Sequence, residues 1–335
     1  MADTAKSKPE SKSGGVAEKL YLIDGSGYIF RAFHSSPLDA FRRTDGVYTN
    51  AVAGYCGMLL KLIDQARSDG AFDYMAVVFD AGRKTFRNDI YPEYKANRDA
   101  PPEELVPQFE LVREATRAFN LPAIQMDGFE ADDLIATYAN HAAARGIDVV
   151  VVSSDKDLMQ LVRPGISMLD PMKDIVIGAP EVAEKFGVAP DKVIDVQALA
   201  GDSTDNVPGV PGIGVKTAAL LLDEYGDLET LLARAGEIKQ PKRRQTLEEN
   251  ADLARISLEL VTLRDDVPVD RPYDSFMLEE PDPETLVAFL EQQGFKTILA
   301  RVRAELATAG HIVEHRSEGE TEIADAAGSY ALVQD

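Results

Sequence analysis

The chain has 335 residues, of which 45% are hydrophobic, and a formal net charge of −22 at pH 7. This length accommodates one large domain and a smaller one. A single cysteine, Cys56, excludes an internal disulfide and is typical of proteins from a reducing compartment. No apolar run reaches the roughly 18 residues of a transmembrane helix, so the sequence predicts a cytoplasmic protein without a membrane partner.

The negative charge is unevenly distributed along the chain. Residues 265–335 contain sixteen acidic and five basic residues. The rest of the chain is nearly balanced once nine clustered carboxylates, described below, are set aside. Local basic patches therefore decide what the protein binds, and the overall acidity does not exclude nucleic acid.

The first part of the chain alternates strands with helices. After a polar segment at 1–18, predicted to be a disordered leader, apolar runs predict strands at 19–24, 74–80, 148–153 and 166–170, with a further short run at 121–126. Helices are predicted at 51–67, 105–119 and 130–145, and a short one at 157–161. This alternation predicts an α/β domain with a mostly parallel sheet over 19–178.

The second part contains short helices joined by small turns. They are predicted at 180–186, 191–199, 215–225, 227–234 and 242–261, and form a helical subdomain over 179–264. Residues 265–327 are interpreted as an acidic, proline-bearing linker with one helix near 284–292.

Nine carboxylates occur in five short clusters, and three of the clusters follow predicted strands directly. They are Asp24; Asp80; Glu130, Asp132 and Asp133; Asp155 and Asp157; and Asp202 and Asp205. Parallel strands bring such residues together at one edge of a sheet. Grouped carboxylates repel one another unless cations lie between them, and oxygen ligands suit hard divalent ions such as Mg²⁺. The pattern indicates two-metal chemistry on a phosphate substrate, and the lack of a His or Cys cluster disfavours zinc.

Two of these clusters have a purely structural alternative. Asp127 and Glu130 have the spacing of a capping box, with Asp127 as the N-cap. Ser153 or Ser154 can cap a helix that carries Asp155 and Asp157. Three carboxylates within residues 130–133 nevertheless exceed what capping requires.

A glycine-rich segment, VPGVPGIGVKTA at 207–218, precedes a predicted helix. Closely spaced glycines expose backbone N–H groups that bind phosphate oxygens, and a lysine adds positive charge. The segment is typical of a helix–hairpin–helix element that grips a DNA backbone, with a plain glycine turn as the alternative. The expected contact residues are Gly209, Gly212, Gly214, Lys216 and Thr217. Carbonyl oxygens of such a turn can also hold K⁺.

The segment 83–98 is basic and aromatic, is interrupted by Pro92, and resembles no core element. Basic side chains neutralise phosphates while aromatic rings stack on unpaired bases, and a solvated loop is the alternative. The candidate DNA contacts are Arg83, Lys84 and Arg87, followed by Lys95 and Arg98. Arg31, seven residues after Asp24, is placed to reach the scissile phosphate.

Together these motifs resemble the 5′ nuclease family, which includes the exonuclease domains of bacterial DNA polymerases and the flap endonucleases. The motifs that carry the resemblance are LIDGSGYIFRAF (22–33), VVFDAGRKTFRNDIYPEYKANR (77–98), GFEADDLIATYA (128–139), VVSSDKDLMQLV (151–162) and GDSTDNVPGVPGIGVKTA (201–218). The resemblance implies a PIN-like fold, a helical arch near 83–104 and a helix–hairpin–helix grip. It also implies two Mg²⁺ or Mn²⁺ ions and a monomer that cleaves 5′ flaps, nicked DNA and RNA primers.

The resemblance also implies roles for individual residues. Asp24, Asp80, Glu130, Asp132 and Asp133 are expected around the first metal, and Asp155, Asp157, Asp202 and Asp205 around the second. Tyr94, Lys95 and Arg98 resemble arch residues with catalytic roles, and Lys95 is expected to contact the scissile phosphate.

The last residues, GSYALVQD at 328–335, resemble the start of a proofreading-type domain. The sequence is therefore expected to be the nuclease part of a longer DNA polymerase. A free-standing nuclease and a non-catalytic DNA-junction-binding module are the alternatives.

Overall fold

The computed structural model of the protein describes residues 18–68 and 74–308. Its strands are β1 (Lys19–Asp24), β2 (Tyr74–Val78), β3 (Ala123–Ile124), β4 (Asp148–Val152), β5 (Ile166–Asp170) and β6 (Ile175–Ile177). They form one sheet in the order β3-β2-β1-β4-β5-β6, in which only β6 is antiparallel. This confirms the predicted α/β fold with a mostly parallel sheet.

Strand β1 lies at the centre of the sheet and is buried on both faces. Leu20 and Leu22 pack into the core on one face, whereas Tyr21 and Ile23 pack into the core on the other. Side chains alternate along a strand, so a continuous apolar run is what a doubly covered parallel strand requires. The carboxyl end of β1 therefore opens at the edge of a rigid two-sided core.

Five helices belong to the sheet domain. They are α1 (Gly25–Ser35), α2 (Asn50–Ser68), α3 (Arg87–Ile90), α4 (Val106–Ala118) and α5 (Ala131–Ala143). Helix α1 was not predicted, because its GSG opening is typical of a turn. Asp24 caps it by accepting the Gly27 N–H at 2.8 Å. The first position of α1 requires glycine, because a Cβ added to Gly25 would lie only 2.4 Å from the Phe79 ring.

The helical part follows β6. Its helices are α6 (Ala179–Phe186), α7 (Val193–Ala200), α8 (Val215–Tyr225), α9 (Leu228–Ala233), α10 (Pro241–Glu249) and α11 (Ala251–Val261). The single helix predicted over 242–261 is thus two helices, which are separated at Asn250.

Residues 265–284 differ from the predicted linker. Val267, Tyr273 and Phe276 are buried in the core, and Met277 forms a bridge with Tyr74 at the sheet. The acidic residues and prolines occupy the positions between these apolar anchors, which is why composition alone indicated a linker. Two further helices, α12 (Pro283–Gln293) and the unpredicted α13 (Lys296–Thr308), pack onto the opposite face of the sheet.

Three predictions concern segments outside the described residues: the leader at 1–18 (apart from Glu18), the tail of the predicted linker beyond 308, and the domain start at 328–335. Within the described ranges, no helix has both the length and the apolarity needed to cross a membrane.

Candidate active site

Eight of the nine predicted carboxylates line a single pocket of about 240 Å³ at the carboxyl edge of the sheet. They are Asp24, Asp80, Glu130, Asp132, Asp155, Asp157, Asp202 and Asp205. Five separate chain segments supply them, so the pocket exists only in the folded chain. Asp133 does not line it.

The acids on the sheet side of the pocket are positioned by the ends of two strands and by the first turn of a helix. Asp24 is the last residue of β1, and Asp80 follows β2 by two residues. Asp80 Oδ1 accepts the N–H of Ala131 at 2.8 Å, which joins it to the first turn of α5. Asp132 lies in the same turn, where the helix dipole favours negative charge.

The capping box at α5 involves other residues than those predicted. Glu130, not Asp127, is the N-cap, and Asp133 occupies the N3 position. Asp133 Oδ2 accepts the Glu130 N–H at 3.0 Å.

Asp133 and Arg87 were predicted to bind metal and DNA, and the structure contradicts both predictions. The two side chains are 0% and 1% exposed. Arg87 Nη1 and Nη2 donate to Asp133 Oδ2 and Oδ1 at 2.7 and 2.8 Å. Both residues are therefore committed to a buried ion pair, and neither is free to meet a ligand.

Burial and mutual repulsion raise the pKa values of three pocket acids. The pKa of Asp24 rises to about 6, chiefly through burial and further through the charges of Asp80 and Asp155. Burial raises the pKa of Asp157 to about 7, with Asp155 adding to the effect. The pKa of Asp132 is also well above its usual range, through burial and then Asp155. The pocket therefore favours the binding of metal cations or the approach of basic side chains, which offset the repulsion between the carboxylates.

Basic side chains supply part of the positive charge at the pocket. Lys95 Nζ lies 2.8 Å from Glu130 Oε2 and 3.5 Å from Asp205 Oδ2, and Arg98 also pairs with Asp205. Although burial alone would lower the pKa of Lys95, Glu130 and the other neighbouring groups raise it overall. Lys156 pairs with Asp202 at 2.5 Å and, together with the Thr204 N–H, holds the pKa of Asp202 below its usual value despite burial.

The donor set fits hard divalent cations. All eight pocket acids offer carboxylate oxygens, the ligand type that Mg²⁺ and Mn²⁺ prefer. Across residues 18–68 and 74–308, no three acidic, His or Cys side chains already converge as a ready-made ligand cluster. Hydrated ions with few direct carboxylate ligands suit such a spread arrangement.

The segment 83–98 is partly a core element, contrary to the prediction. Tyr94 is buried with Val207 and Leu260 in a small apolar cluster, and its hydroxyl donates to Glu130 at 3.3 Å. The N–H of Lys95 donates to the Asp205 carbonyl at 2.9 Å. This docking orients the Lys95 side chain toward the carboxylates.

Three other predicted contacts surround the pocket at the surface. Arg31 is exposed and lines a smaller adjoining pocket with Asp24 and Asp155. Arg83 donates to the Arg98 carbonyl at 2.6 Å, which joins the two ends of the segment 83–98. Lys84 is exposed.

The glycine-rich turn separates into a buried and an exposed part. Gly209 is buried, and its N–H donates to Ser257 Oγ at 2.9 Å, so its predicted phosphate contact is wrong. This position requires glycine, because its φ is +59° and an added Cβ would lie only 2.4 Å from Gly201 N. The remaining predicted residues surround the start of α8, where Gly212, Gly214 and Lys216 are exposed and Thr217 is half-buried.

Sequence reasoning missed a glutamine that contacts the acidic cluster. Gln197 on α7 is buried and donates through Nε2 to Asp157 Oδ1 at 2.5 Å. Only the three-dimensional contact identifies it, because a glutamine in an apolar helix carries no sequence signal.

An aromatic cavity was also missed. It measures about 570 Å³ and shares Asp80 and Glu130 with the carboxylate pocket. Phe30 is 42% exposed at its wall and meets Phe109 edge to face at 5.8 Å. The sequence does not show that the two rings meet, because α1 was not predicted and Phe109 lies 79 residues after Phe30.

Two family descriptions match the chain in succession. Residues 19–187 match the 5′-3′ exonuclease N-terminal resolvase-like domain, and residues 188–284 match the 5′-3′ exonuclease C-terminal SAM fold. DNA polymerase I of Rhizobium leguminosarum is 59% identical over 288 residues, which are 85% of this chain and 28% of that protein. DNA polymerase I of Bacillus caldotenax is 40% identical over 86% of this chain and 33% of its own length. The chain thus spans about a third or less of these relatives.

Solved structures share the fold. The T5 5′-exonuclease with bound zinc superposes with a TM-score of 0.63 at 23% identity, covering 87% of this chain and 99% of that one. The catalytic core of Rad2 in complex with DNA superposes with a TM-score of 0.55 at 17% identity, covering 86% and 93%.

Proposed function

The chain belongs to the 5′-3′ exonuclease family, and we propose that it hydrolyses phosphodiester bonds of DNA near 5′ ends with the help of two divalent metal ions. The observation that carries the proposal is the gathering of eight carboxylates from five segments beneath Lys95 and Arg98. The T5 and Rad2 proteins, described with metal ions and with DNA, support the choice of cofactor and substrate.

Mg²⁺ is the proposed ion, with Mn²⁺ as a substitute. Asp24, Asp80, Glu130 and Asp132 are proposed to hold the first ion, and Asp155, Asp157, Asp202 and Asp205 the second. The ions supply Lewis-acid stabilisation and activate water. The chain's own residues bind the ions and orient the phosphate.

Lys95 is the proposed phosphate contact. Its ammonium group lies beside Glu130 at the pocket and carries the charge needed to stabilise a phosphate as negative charge accumulates on it. Arg98, Tyr94 and Arg31 surround the same space and assist in positioning. Arg83 and Lys84 lie further along the arch and are proposed to meet the DNA backbone.

The exposed start of α8 is proposed to grip duplex DNA. Gly212, Gly214 and Lys216 present backbone N–H groups and a positive charge to phosphates without reading bases. The Thr217 N–H donates to the Gly214 carbonyl at 2.9 Å, so Thr217 is proposed to contribute its side-chain hydroxyl. The same turn is a proposed K⁺ site, since carbonyl oxygens suit that ion. Flapped, nicked and RNA-primed duplexes are the proposed substrates of a monomer.

Two domains are proposed, a catalytic one at 19–178 and a DNA-gripping one at 179–264. The 59% identical relative favours a role as the nuclease part of a DNA polymerase I, active in primer removal and repair. A free-standing nuclease is the alternative.

A flap-cleavage assay tests the proposal. A duplex with a labelled 5′ flap is incubated with the protein in Mg²⁺ and, separately, in excess chelator. We expect short labelled products only with Mg²⁺. Cleavage that persists in chelator would refute the metal mechanism, and tight binding without cleavage would indicate a junction-binding module instead.

A further inference from the structure

The buried ion pair of Arg87 and Asp133 lies where the arch segment, α5 and the end of α11 meet. We infer that this pair is a positioning device that holds Glu130 and the helical part of the chain in register with the carboxylate pocket. The inference deepens the proposed function and rests on it for its catalytic readouts.

Asp133 is saturated by donors. Its Oδ1 accepts from Arg87 Nη2 at 2.8 Å and from the Arg264 N–H at 2.9 Å. Its Oδ2 accepts from Arg87 Nη1 at 2.7 Å and from the Glu130 N–H at 3.0 Å. Four hydrogen bonds occupy both oxygens, so no lone pair is directed at a metal ion.

Arg87 reaches across to the helical part. Its Nε donates to the carbonyl of Leu260, in the last turn of α11, at 2.8 Å, and Nη2 lies 3.3 Å from the Thr262 carbonyl. These carbonyls belong to a helix end, where backbone acceptors lack intrahelical donors. The guanidinium thus joins the end of α11 to α5 through Asp133.

An aromatic ring covers this junction. The Phe86 ring contacts two guanidinium groups, with the Arg87 carbon 4.6 Å and the Arg264 carbon 4.9 Å from its centroid. Because both side chains of the ion pair are buried, the pair is strong and either charge is costly when left alone.

Glu130 is the residue at the site that the pair controls. Asp133 fixes its backbone N–H, and Arg87 Nη1 lies 3.8 Å from its Oε2. Because Glu130 also contacts Lys95, a shift of the pair moves a proposed metal ligand and the proposed phosphate contact together. Arg87 and Asp133 are therefore positioning residues that act through Glu130.

A double-mutant cycle with Arg87→Gln, Asp133→Asn and both changes tests the inference. Each single change leaves one buried charge unpaired and is expected to lower the thermal midpoint by about 6–20 °C. The double variant removes both charges and is expected to recover most of that loss. Additive losses, or a double variant that folds less well than either single one, would overturn the inference. This measurement needs no substrate, so it stands even if the proposed nuclease activity fails.

The Mg²⁺ concentration for half-maximal flap cleavage separates positioning from direct ligation. D133N is expected to raise it about 10- to 100-fold, as loss of an outer-shell partner does. In D133N the unpaired Arg87, whose Nη1 lies 3.8 Å from Glu130 Oε2, is expected to draw that carboxylate out of place, so adding R87Q should return the requirement to within about threefold of the unmodified protein. A direct ligand cannot be restored that way, so an unrelieved requirement in the double variant would identify Asp133 as a metal ligand.

The exposed pair of Arg255 and Glu229 provides the matched control. It is also bidentate, with Arg255 Nε and Nη2 each 2.9 Å from a Glu229 oxygen, but it lies on the surface of the helical part. R255Q, E229Q and their combination are expected to leave the thermal midpoint and the Mg²⁺ requirement unchanged.

Discussion

Lys95 Nζ lies 2.8 Å from Glu130 Oε2, so a basic side chain of the segment 83–98 directly contacts an acid at the edge of the sheet. Lys95 has a left-handed backbone, with φ of +55°, and its N–H donates to the Asp205 carbonyl. A non-glycine residue in that conformation needs support from its surroundings. The contacts with Asp205 and Glu130 supply it from the two sides of the pocket.

Replacing Lys95 with alanine is expected to lower kcat about 100- to 1,000-fold, the usual loss for one preorganised charge at a reacting group. The affinity for flapped duplex should remain close to that of the unmodified protein, because Arg83, Lys84 and Lys216 are also proposed to contact the DNA backbone. Single-turnover cleavage and equilibrium binding in Ca²⁺ measure the two quantities. Lys84→Ala, at an exposed position of the same segment that is proposed to meet the DNA backbone, is the contrasting variant and should lower affinity while leaving kcat unchanged. A loss confined to affinity would refute the role of Lys95.

Replacing Asp132 with asparagine is expected to abolish cleavage and also to stabilise the protein in chelator. Asp132 lies among Asp155, Asp24 and Asp80, whose charges disfavour its own, so removing that charge relieves repulsion. The unmodified protein should gain roughly 5–10 °C in thermal midpoint at Mg²⁺ concentrations near 100 times the dissociation constant. The variant should gain much less. An unchanged or lower midpoint for the variant in chelator would contradict this account.

The sequence was sufficient to predict the strand-end acids, because an apolar run followed by Asp marks the carboxyl end of a buried strand. It was insufficient to separate Asp132 from Asp133. Adjacent residues of a helix project about 100° apart, so Asp132 and Asp133 cannot both face the pocket. Because both are aspartates, the sequence does not show which of them does. Asp133 is turned away from the pocket by its ion pair with Arg87, which lies 46 residues earlier in the chain.

The same limit applies to Gly209 and Gln197. A glycine-rich string predicts a turn, but which N–H faces solvent depends on Ser257 in α11. Gln197 contacts Asp157 only because α7 packs beside the sheet edge. The interpretation of 265–284 as a linker was wrong for a related reason. The segment is acidic on average, but a few apolar side chains such as Phe276 are buried in the core and hold it against the fold.

Replacing Gln197 with leucine is expected to raise the Mg²⁺ concentration needed for half-maximal cleavage about 10- to 100-fold. The change keeps the apolar packing of α7 but removes the N–H that orients Asp157 Oδ1. Duplex affinity should not change. Gln245→Leu, at an exposed glutamine of α10 whose side chain donates to Glu249 at 2.7 Å, is the matched control. An unaltered Mg²⁺ requirement in the Gln197 variant would show that Asp157 needs no such support.

Replacing Gly209 with alanine is expected to cost about 2–5 kcal/mol of folding free energy. The added Cβ would lie 2.4 Å from Gly201 N, and φ of +59° disfavours any side chain. Gly214→Ala is the control, because that position has φ of −99° and open space around its Cβ. Denaturant unfolding of both variants measures the difference. Equal stability would contradict the assigned close approach of the two backbone segments.

Replacing Phe30 with alanine is expected to weaken the productive binding of flapped substrate by about 1–3 kcal/mol, the value of one base stacked on an aromatic ring. Phe30 is 42% exposed in a cavity that shares Asp80 and Glu130 with the carboxylate pocket, so a base held there places its phosphate beside the acids. The measurement is KM on flaps with and without an abasic nucleotide next to the cleavage point.

The abasic substrate makes this prediction specific to stacking. The unmodified protein should lose affinity when the base is removed, whereas F30A should bind both substrates equally, because the partner of the base is already absent. Phe41, which is 37% exposed and packs against Phe295, provides the control: F41A should retain the full abasic penalty. If F30A and the abasic site weaken binding independently, Phe30 does not stack on that base, and its exposed ring serves only to pack against Phe109.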